Sequence, residues 1–204
     1  MGQRGRPREF NRDAALQQAM EVFWRLGYES ASLSELTGAI GINAPSFYAA
    51  FGSKEALFQE AVALYQTGVG SGTARAIAEQ PTARAAIATI LRDAVQLFTD
   101  GSSPPGCLIV LGTMNCSPAS KGAQEHLLVL RRRTQDIIRE RLERGIAEGD
   151  VPASANVSAM TSFYTTVLHG LSIQARDGDS RATLTDVADC AMSAWDGLAG
   201  ASKR

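Results

Sequence analysis

The chain of 204 residues has few side chains that could act as a nucleophile with a base. Its two histidines, His126 and His169, both lie in segments of helical periodicity, and no nucleophile–base–orienting set surrounds them. The segment 177–180, DGDS, resembles the start of a calcium loop, but Arg181 stands where such a loop needs an oxygen ligand. The sequence therefore predicts no enzyme, no metal site and no cofactor.

Side chains suited to another chemistry are concentrated in residues 41–58, GINAPSFYAAFGSKEALF. This stretch holds four aromatic residues although the whole chain is only 6% aromatic. Phe47 and Phe51 lie four residues apart and can pin one face of a short helix, whereas Tyr48 points elsewhere. A tyrosine so placed can pack its ring and donate its hydroxyl to a phosphate, and an asparagine such as Asn43 can pair with adenine.

The composition is that of an ordinary globular protein, with 45% apolar residues, 20% charged residues and a net charge of −1. Positive charge is concentrated at the N-terminus, which carries Arg4, Arg6, Arg8 and Arg12 against Glu9. The longest strongly apolar run is too short for a membrane span, and three cysteines at irregular spacing predict no disulfide framework. We therefore expect a cytoplasmic protein with reduced thiols.

Helical periodicity dominates the chain, and no alternating strand pattern recurs. The pattern predicts a helix over 11–26 that stops at Gly27, and two short helices that end at Gly41 and Gly52. Longer helices are predicted to begin after Ser53 and to cover 82–99, 121–148, 154–176 and 181–198. Residues 68–72 favour a frayed helix or loop, and 107–116 are ambiguous between a strand and a helix. The predicted fold class is all-α, with about nine helices.

Two short helices joined by a tight turn at Gly41, after a longer apolar helix, are typical of a helix-turn-helix. Segment 27–58 resembles the N-terminal module of the TetR family of bacterial transcriptional regulators. The residues that carry the resemblance are Gly27, Ser32, Leu36, Gly41, Ile42, Tyr48, Phe51, Lys54, Glu55, Leu57 and Phe58. It implies a three-helix helix-turn-helix module over 1–52 and a C-terminal helical bundle over 53–204 that dimerises and binds an effector.

The resemblance also implies that the second short helix enters the major groove of double-stranded DNA. The expected DNA-binding residues are Arg4, Arg6, Arg8, Ser32, Ser34, Asn43, Ala44, Pro45, Ser46, Tyr48 and Lys54. Pro45 disfavours helical backbone at the preceding residue, which predicts Ala44 as the N-cap and a free Asn43 side chain, unless Asn43 itself is the cap. Alanine at 44, 49 and 50 departs from the family pattern, so the arginine arm is expected to supply specificity, unless it is only a solubilising tail.

A second set of residues has the mixed apolar and polar character of a small-molecule pocket. The set comprises Phe98, Cys107, Leu111, Met114, Phe163, Tyr164 and His169, although such residues also suit a plain core. Cys107 is expected in the first turn of a helix, where the helix terminus would lower the pKa of its thiol; the alternative is an inert buried cysteine. Arg131, Arg132 and Arg133 are expected on a solvated helix face.

The small residues of 154–198 favour close helix–helix packing, either between two copies of the chain or within one. Together these features predict a homodimeric, ligand-responsive repressor that binds a palindromic operator and is released by an unidentified small molecule. The alternative is a helical sensor of small molecules or thiol-reactive compounds without operator-specific DNA binding. The helix after Ser53 is the expected lever between the two modules.

Overall fold

The helices of the computed structural model, which describes residues 10–114 and 116–200, follow one another without a strand in those ranges. They are α1 Arg12–Ser30, α2 Leu33–Ile40, α3 Ala44–Phe51, α4 Lys54–Thr67, α5 Gly72–Glu79, α6 Ala83–Phe98, α7 Leu108–Leu111, α8 Lys121–Glu148, α9 Val157–Asp177, α10 Arg181–Ser193 and α11 Trp195–Leu198. Since α7 and α11 have four residues each, nine helices of eight or more residues remain. The all-α prediction is confirmed, and no helix of the described part is both long and apolar enough to cross a membrane.

The N-terminal helices begin where capping side chains satisfy free backbone N–H groups. The side-chain oxygens of Asn11, Ser32 and Ser53 each accept a hydrogen bond from the backbone N–H three residues later, at 3.0, 3.1 and 3.0 Å. Gly41 ends α2 at a φ of 76°, the left-handed conformation that glycine adopts most readily. The ends of these helices are therefore marked by residue types that can be recognised in the sequence.

Gly27 breaks α1 near its C-terminal end, with a φ of 75° and a ψ of 169°. Because the helix is interrupted there, the N–H of Tyr28 leaves the helical pattern and donates to the carbonyl of Gly112 at 2.7 Å. A side chain at Gly27 would bring its Cβ to 3.3 Å from that same carbonyl oxygen. The predicted stop at Gly27 thus also forms a close contact with a distant segment of the chain.

Two hydrophobic clusters divide the interior. The N-terminal cluster joins α1 to α4 and is rich in aromatic rings, namely Phe23, Trp24, Tyr28, Phe47, Phe51, Phe58 and Tyr65. The C-terminal cluster joins α6, α8, α9 and α10 and is mainly aliphatic, with Ile87, Leu91, Leu142, Leu171 and Leu184 among its members. Leu97 and Cys107 pack against both clusters, so the two are in contact.

The structure differs from the sequence prediction at several places, and one of them is the helix predicted over 181–198, which is divided into α10 and α11. Residues 68–71 are not α-helical, as predicted, and form a 3-10 turn at Val69–Ser71, but helix α5 then follows at Gly72–Glu79, where no helix was predicted. The ambiguous segment 107–116 forms only the single turn α7. Helix α9 begins later than residue 154, because the side chain of Asn156 caps it by accepting from Ala159 N at 3.0 Å.

Candidate nucleic-acid interface and ligand cavity

Helix α3 buries one face and leaves the other to solvent. Phe47 is fully buried and Phe51 is 4% exposed, and both pack in the N-terminal cluster with Phe23 and Leu36. An eight-residue helix is marginal alone, so this burial is what holds it in place. The opposite face is exposed and consists of Asn43, Pro45, Ser46, Tyr48 and Ala49.

Asn43 is the N-cap of α3, and the prediction that Ala44 would be the cap was wrong. The Asn43 side-chain oxygen accepts from Ser46 N at 2.9 Å. Ala44 is the first helical residue and Pro45 lies in the first turn, where the missing N–H of proline removes no helical bond. The Asn43 oxygen is therefore engaged within the protein, and its amide N–H groups remain as donors for an outside partner.

Tyr48 and Lys54 are held differently. The Tyr48 side chain is 53% exposed, and its ring meets that of Phe47 edge-on with centroids 5.5 Å apart. The Lys54 ammonium donates to the carbonyl of Glu29 at 3.4 Å and lies 4.5 Å from the centre of the Tyr28 ring. Desolvation lowers the pKa of Lys54. Tyr48 thus presents a hydroxyl to solvent, whereas Lys54 is already held against the end of α1.

The remaining expected DNA-binding residues fall into two groups. Ser32 and Ser34 are exposed at the start of α2, and Ser32 also caps that helix. Arg4, Arg6 and Arg8 lie outside the described residues.

A cavity of about 380 Å³ lies between α4, α5, α6, α7, α8 and α9. Its apolar lining includes Ile90, Ala94, Leu97, Phe98, Ile109, Val110, Ile137 and Leu168. The polar side chains that line it include Tyr65, Gln66, Cys107, Arg131, Thr134 and His169. A mainly apolar wall with a few polar groups is typical of small-molecule sites.

The cavity includes part of the predicted pocket set. Phe98, Cys107 and His169 line it, but the other four residues do not. Met114 is 55% exposed after α7, and Leu111 is partly buried beside Gly106. Phe163 and Tyr164 belong to the C-terminal cluster instead. The Tyr164 hydroxyl donates to Ala191 O at 3.4 Å, and burial raises the pKa of Tyr164 to about 12.

The environment of Cys107 contradicts the expected reactive thiolate. Cys107 precedes the one-turn helix α7, and its thiol is 3.5 Å from the Tyr65 hydroxyl. Burial raises the pKa of Cys107, and this outweighs the hydrogen bonds that act in the other direction. The helix here is too short, and the thiol too desolvated, to stabilise the charged form.

Arg131 does not lie on a solvated face as its neighbours Arg132 and Arg133 do. Its guanidinium is partly buried, lines the cavity and donates to the carbonyl of Ile109 at 2.9 Å. Desolvation lowers the pKa of Arg131, and burial together with this cation lowers the pKa of His169. Helical periodicity could have indicated Arg131, because it falls between the inward positions Leu127 and Ile138 of α8.

Segment 105–112 connects the cavity with the end of α1. The Trp24 indole N–H donates to Gly106 O at 2.9 Å, and Tyr28 N donates to Gly112 O at 2.7 Å. Between these two carbonyls, the same segment contributes Cys107, Ile109 and Val110 to the cavity wall. The segment that forms this part of the wall therefore also makes two hydrogen bonds to α1.

Arg176, near the end of α9, reinforces this connection. Its guanidinium donates to Pro105 O at 3.1 Å, to Arg25 O at 3.0 Å and to Trp24 O at 2.8 Å. One side chain thus joins α9, the segment 105–112 and α1. The sequence shows only an arginine near a helix C-terminus, so it gives no signal for this role.

Known proteins resemble both the module and the whole chain. The family model for bacterial regulatory proteins of the tetR family matches residues 15–61. The HTH-type transcriptional repressor ComR of Escherichia coli K12 is 32% identical over 193 residues, which cover 94% of this chain and 92% of ComR. The chain belongs to the TetR family. The HTH-type transcriptional repressor BdcR of the same organism is 28% identical over 96% of this chain and 91% of BdcR.

Solved TetR structures agree with this membership. A cysteine mutant of the TetR family regulator CifR, complexed with 26-bp double-strand operator DNA, is 46% identical and has a TM-score of 0.89. That match covers 93% of this chain and all of the CifR chain. A putative TetR regulator from Rhodococcus sp. RHA1 is 36% identical, with a TM-score of 0.62, over 89% of this chain and 97% of its own.

Proposed function

We propose that this TetR-family chain is a ligand-responsive repressor that binds a palindromic operator as a homodimer and is released by a small molecule. The observation that carries the proposal is the direct connection of α1 to the cavity wall through segment 105–112. The repressor names of ComR and BdcR and the operator complex of CifR support it. The proposal includes a cytoplasmic location and no catalytic activity.

The DNA-contacting surface of this proposal is the exposed face of α3. Tyr48 donates to a phosphate, and the Asn43 amide and Ser46 hydroxyl contact base edges. Ala44 and Pro45 contribute apolar contact with a thymine methyl, and Ser32 and Ser34 approach the adjoining backbone. The Lys54 ammonium already donates to the Glu29 carbonyl. In this proposal it contacts a phosphate either with another of its N–H groups or by giving up the bond to Glu29.

Dimerisation in this proposal uses α9 and α10 within residues 154–198. Their outward residues are mainly small or short, among them Ala159, Ser162, Thr166, Ala182 and Cys190. Small side chains let two helices from each protomer approach closely. Ile173, 40% exposed on α9, adds an apolar contact to such a four-helix interface.

Release follows from differential binding of the effector to two arrangements of segment 105–112. In one arrangement Gly106 and Gly112 hold α1 as observed here. In the other, the occupied cavity moves the segment and changes the separation of the two recognition helices. Helix α4 participates because Tyr65 lines the cavity and Ser53, at the other end of this helix, adjoins α3.

Fluorescence anisotropy with the duplex that flanks the protein's own coding region tests the DNA-binding part. We expect salt-dependent binding that favours a palindrome, with a steep slope of log K against log salt. A scrambled duplex of equal length is the control. Equal affinity for both duplexes at every salt concentration contradicts an operator-specific regulator.

Deleting residues 2–8 tests the proposed role of the arginine arm. We expect lower affinity, a smaller salt slope and a weaker preference for A·T flanks, because arginine binds narrow A·T minor grooves. Binding selection on randomised flanks, with full-length and truncated protein in parallel, measures the preference. The same flank preference in both proteins would show that the arm does not read sequence.

A further inference from the structure

The charges around the cavity do not balance. Arg75 and Asp93, which both line it, pair with each other at 3.2 Å. Arg131 forms no ion pair with any carboxylate of the described residues. Since His169 is disfavoured from protonation by burial and by Arg131, the lining keeps a net positive charge at Arg131.

Arg131 also has donors to spare. A guanidinium carries five N–H donors, and among the described residues this one has a single acceptor, the Ile109 carbonyl. Its nitrogens are not among the fully buried polar atoms without a partner, so the free donors face accessible space. The bond to the carbonyl of Ile109, another residue of the lining, places the guanidinium at the cavity wall.

Among the described residues of the wall, no other cationic side chain lacks a carboxylate partner. Ile90, Leu97, Phe98 and Leu168 give it an apolar surface that suits a hydrocarbon body. The Tyr65 hydroxyl is neutral, because burial raises the pKa of Tyr65 well above its usual value, and it can only donate or accept a hydrogen bond. An elongated molecule with one anionic end satisfies both parts of this lining.

We infer that the cavity binds a small carboxylic acid with an apolar body, whose carboxylate pairs with Arg131. A guanidinium matches a carboxylate with two parallel N–H bonds, and partial burial strengthens such a pair. This inference rests on the proposed function for the ligand's role as effector. The binding itself depends only on the cavity and on Arg131.

The location of Arg131 connects this ligand to the DNA-binding module. The bond from Arg131 to Ile109 O helps to hold segment 105–112 in its present position. A bound carboxylate pairs with the free N–H donors of the same guanidinium, and it weakens the bond to Ile109 O by drawing the guanidinium away from that carbonyl. The segment then shifts relative to α1, which it holds through the carbonyls of Gly106 and Gly112.

Calorimetry and thermal unfolding of the full chain with octanoate, octanamide and 1-octanol test the ligand class. These probes contain the same number of carbon atoms, and octanoate and octanamide differ only in the end group. We expect octanoate to bind and to raise Tm, and the two neutral probes to bind at least about tenfold more weakly, as for loss of a partly buried charge pair. Equal binding of octanoate and octanamide, or no binding of octanoate at millimolar concentration, overturns the inference.

Three variants locate the carboxylate. Arg131→Gln is expected to lose about tenfold or more in octanoate affinity, and Arg132→Gln, an exposed neighbour, is expected to keep wild-type affinity. Arg131→Lys retains the charge without the planar fork and is expected to bind with intermediate affinity, which covers the case in which Arg131→Gln does not fold. Unchanged octanoate binding by Arg131→Gln overturns the assignment.

Operator anisotropy in the presence of octanoate separates this inference from the proposed function. Tight octanoate binding together with operator release supports both. Binding that depends on Arg131 but leaves the operator complex intact supports the ligand class and contradicts the cavity's role as effector site. Operator release by octanamide alone contradicts the ligand class and supports the effector site.

Discussion

The two hydrophobic clusters of this TetR-family protein are built from different side chains and are packed differently. The N-terminal cluster stacks seven aromatic rings around α1 and α4, including an edge-on contact of Phe23 and Phe58 at 5.0 Å. The C-terminal cluster uses mainly aliphatic and alanine side chains and borders a cavity of about 380 Å³. The N-terminal cluster fixes the short helix α3 in place, and the C-terminal cluster leaves space for a small molecule.

This difference has a physical basis in the size of the elements. Helix α3 has only eight residues, so large rigid rings must fix its orientation. The 28-residue α8 and the 21-residue α9 are long enough to pack well even where part of their surface faces empty space. A regulator needs both properties, a rigid reading surface and a wall that a ligand can displace.

Truncating one phenylalanine in each region should give the largest difference in stability between the two clusters. Phe47→Ala removes a fully buried ring and should cost about 3–5 kcal/mol of unfolding free energy and abolish operator binding. Phe98→Ala should cost less, because Phe98 already borders the cavity and its removal enlarges an existing space. Chemical denaturation measures both costs. Equal losses would mean that the cavity wall is packed as tightly as the N-terminal cluster.

Arg176→Gln tests the connection between the two regions. Loss of its three bonds to main-chain carbonyls should cost about 1–3 kcal/mol and should weaken the effect of a cavity ligand on operator affinity. Arg181→Gln is the matched control, since among the described residues Arg181 donates only to Thr99. Denaturation and operator anisotropy measure the two effects. A loss of coupling in both variants would exclude a specific role for Arg176.

The sequence predicted one region better than the other, for reasons visible in particular residues. Capping by Ser32 and Ser53 and the break at Gly27 are local, so their residue types indicate them. The cavity depends on contacts between distant segments, such as Arg131 with Ile109, which no local pattern contains. The Asn43 cap was mispredicted because the restriction before Pro45 was given more weight than the capping preference of asparagine.

Tyr48→Phe tests how the exposed face of α3 contacts DNA. Because the Tyr48 ring is held against Phe47 while its hydroxyl is exposed, removing the hydroxyl should leave the fold unchanged. We expect operator and scrambled duplexes to lose affinity alike, by about threefold to tenfold, as for one hydrogen bond to a phosphate. Anisotropy titration at fixed salt measures both. A loss restricted to the operator would assign Tyr48 to base recognition.

Cysteine labelling needs no substitution, and at Cys107 it reports on the cavity wall. Burial raises the pKa of Cys107, so the neutral thiol is favoured in the folded chain, and less thiolate is present than in the unfolded chain as pH rises toward the folded pKa. We expect Cys107 to label more slowly in the folded chain than in urea, and the difference to shrink at alkaline pH. Mass spectrometry after timed alkylation measures the labelling of Cys107, with the same chain in urea as the reference.

The outcome discriminates between a structural and a sensing thiol. Fast labelling of Cys107 below pH 7 would contradict the burial argument and restore the reactive thiolate expected from a position in the first turn of a helix. Slower labelling of Cys107 in the presence of octanoate than in its absence would instead show that the ligand covers the cavity wall at Cys107. Because Cys107 lies between the two carbonyls that hold α1, such protection would also report how the ligand contacts the connecting segment.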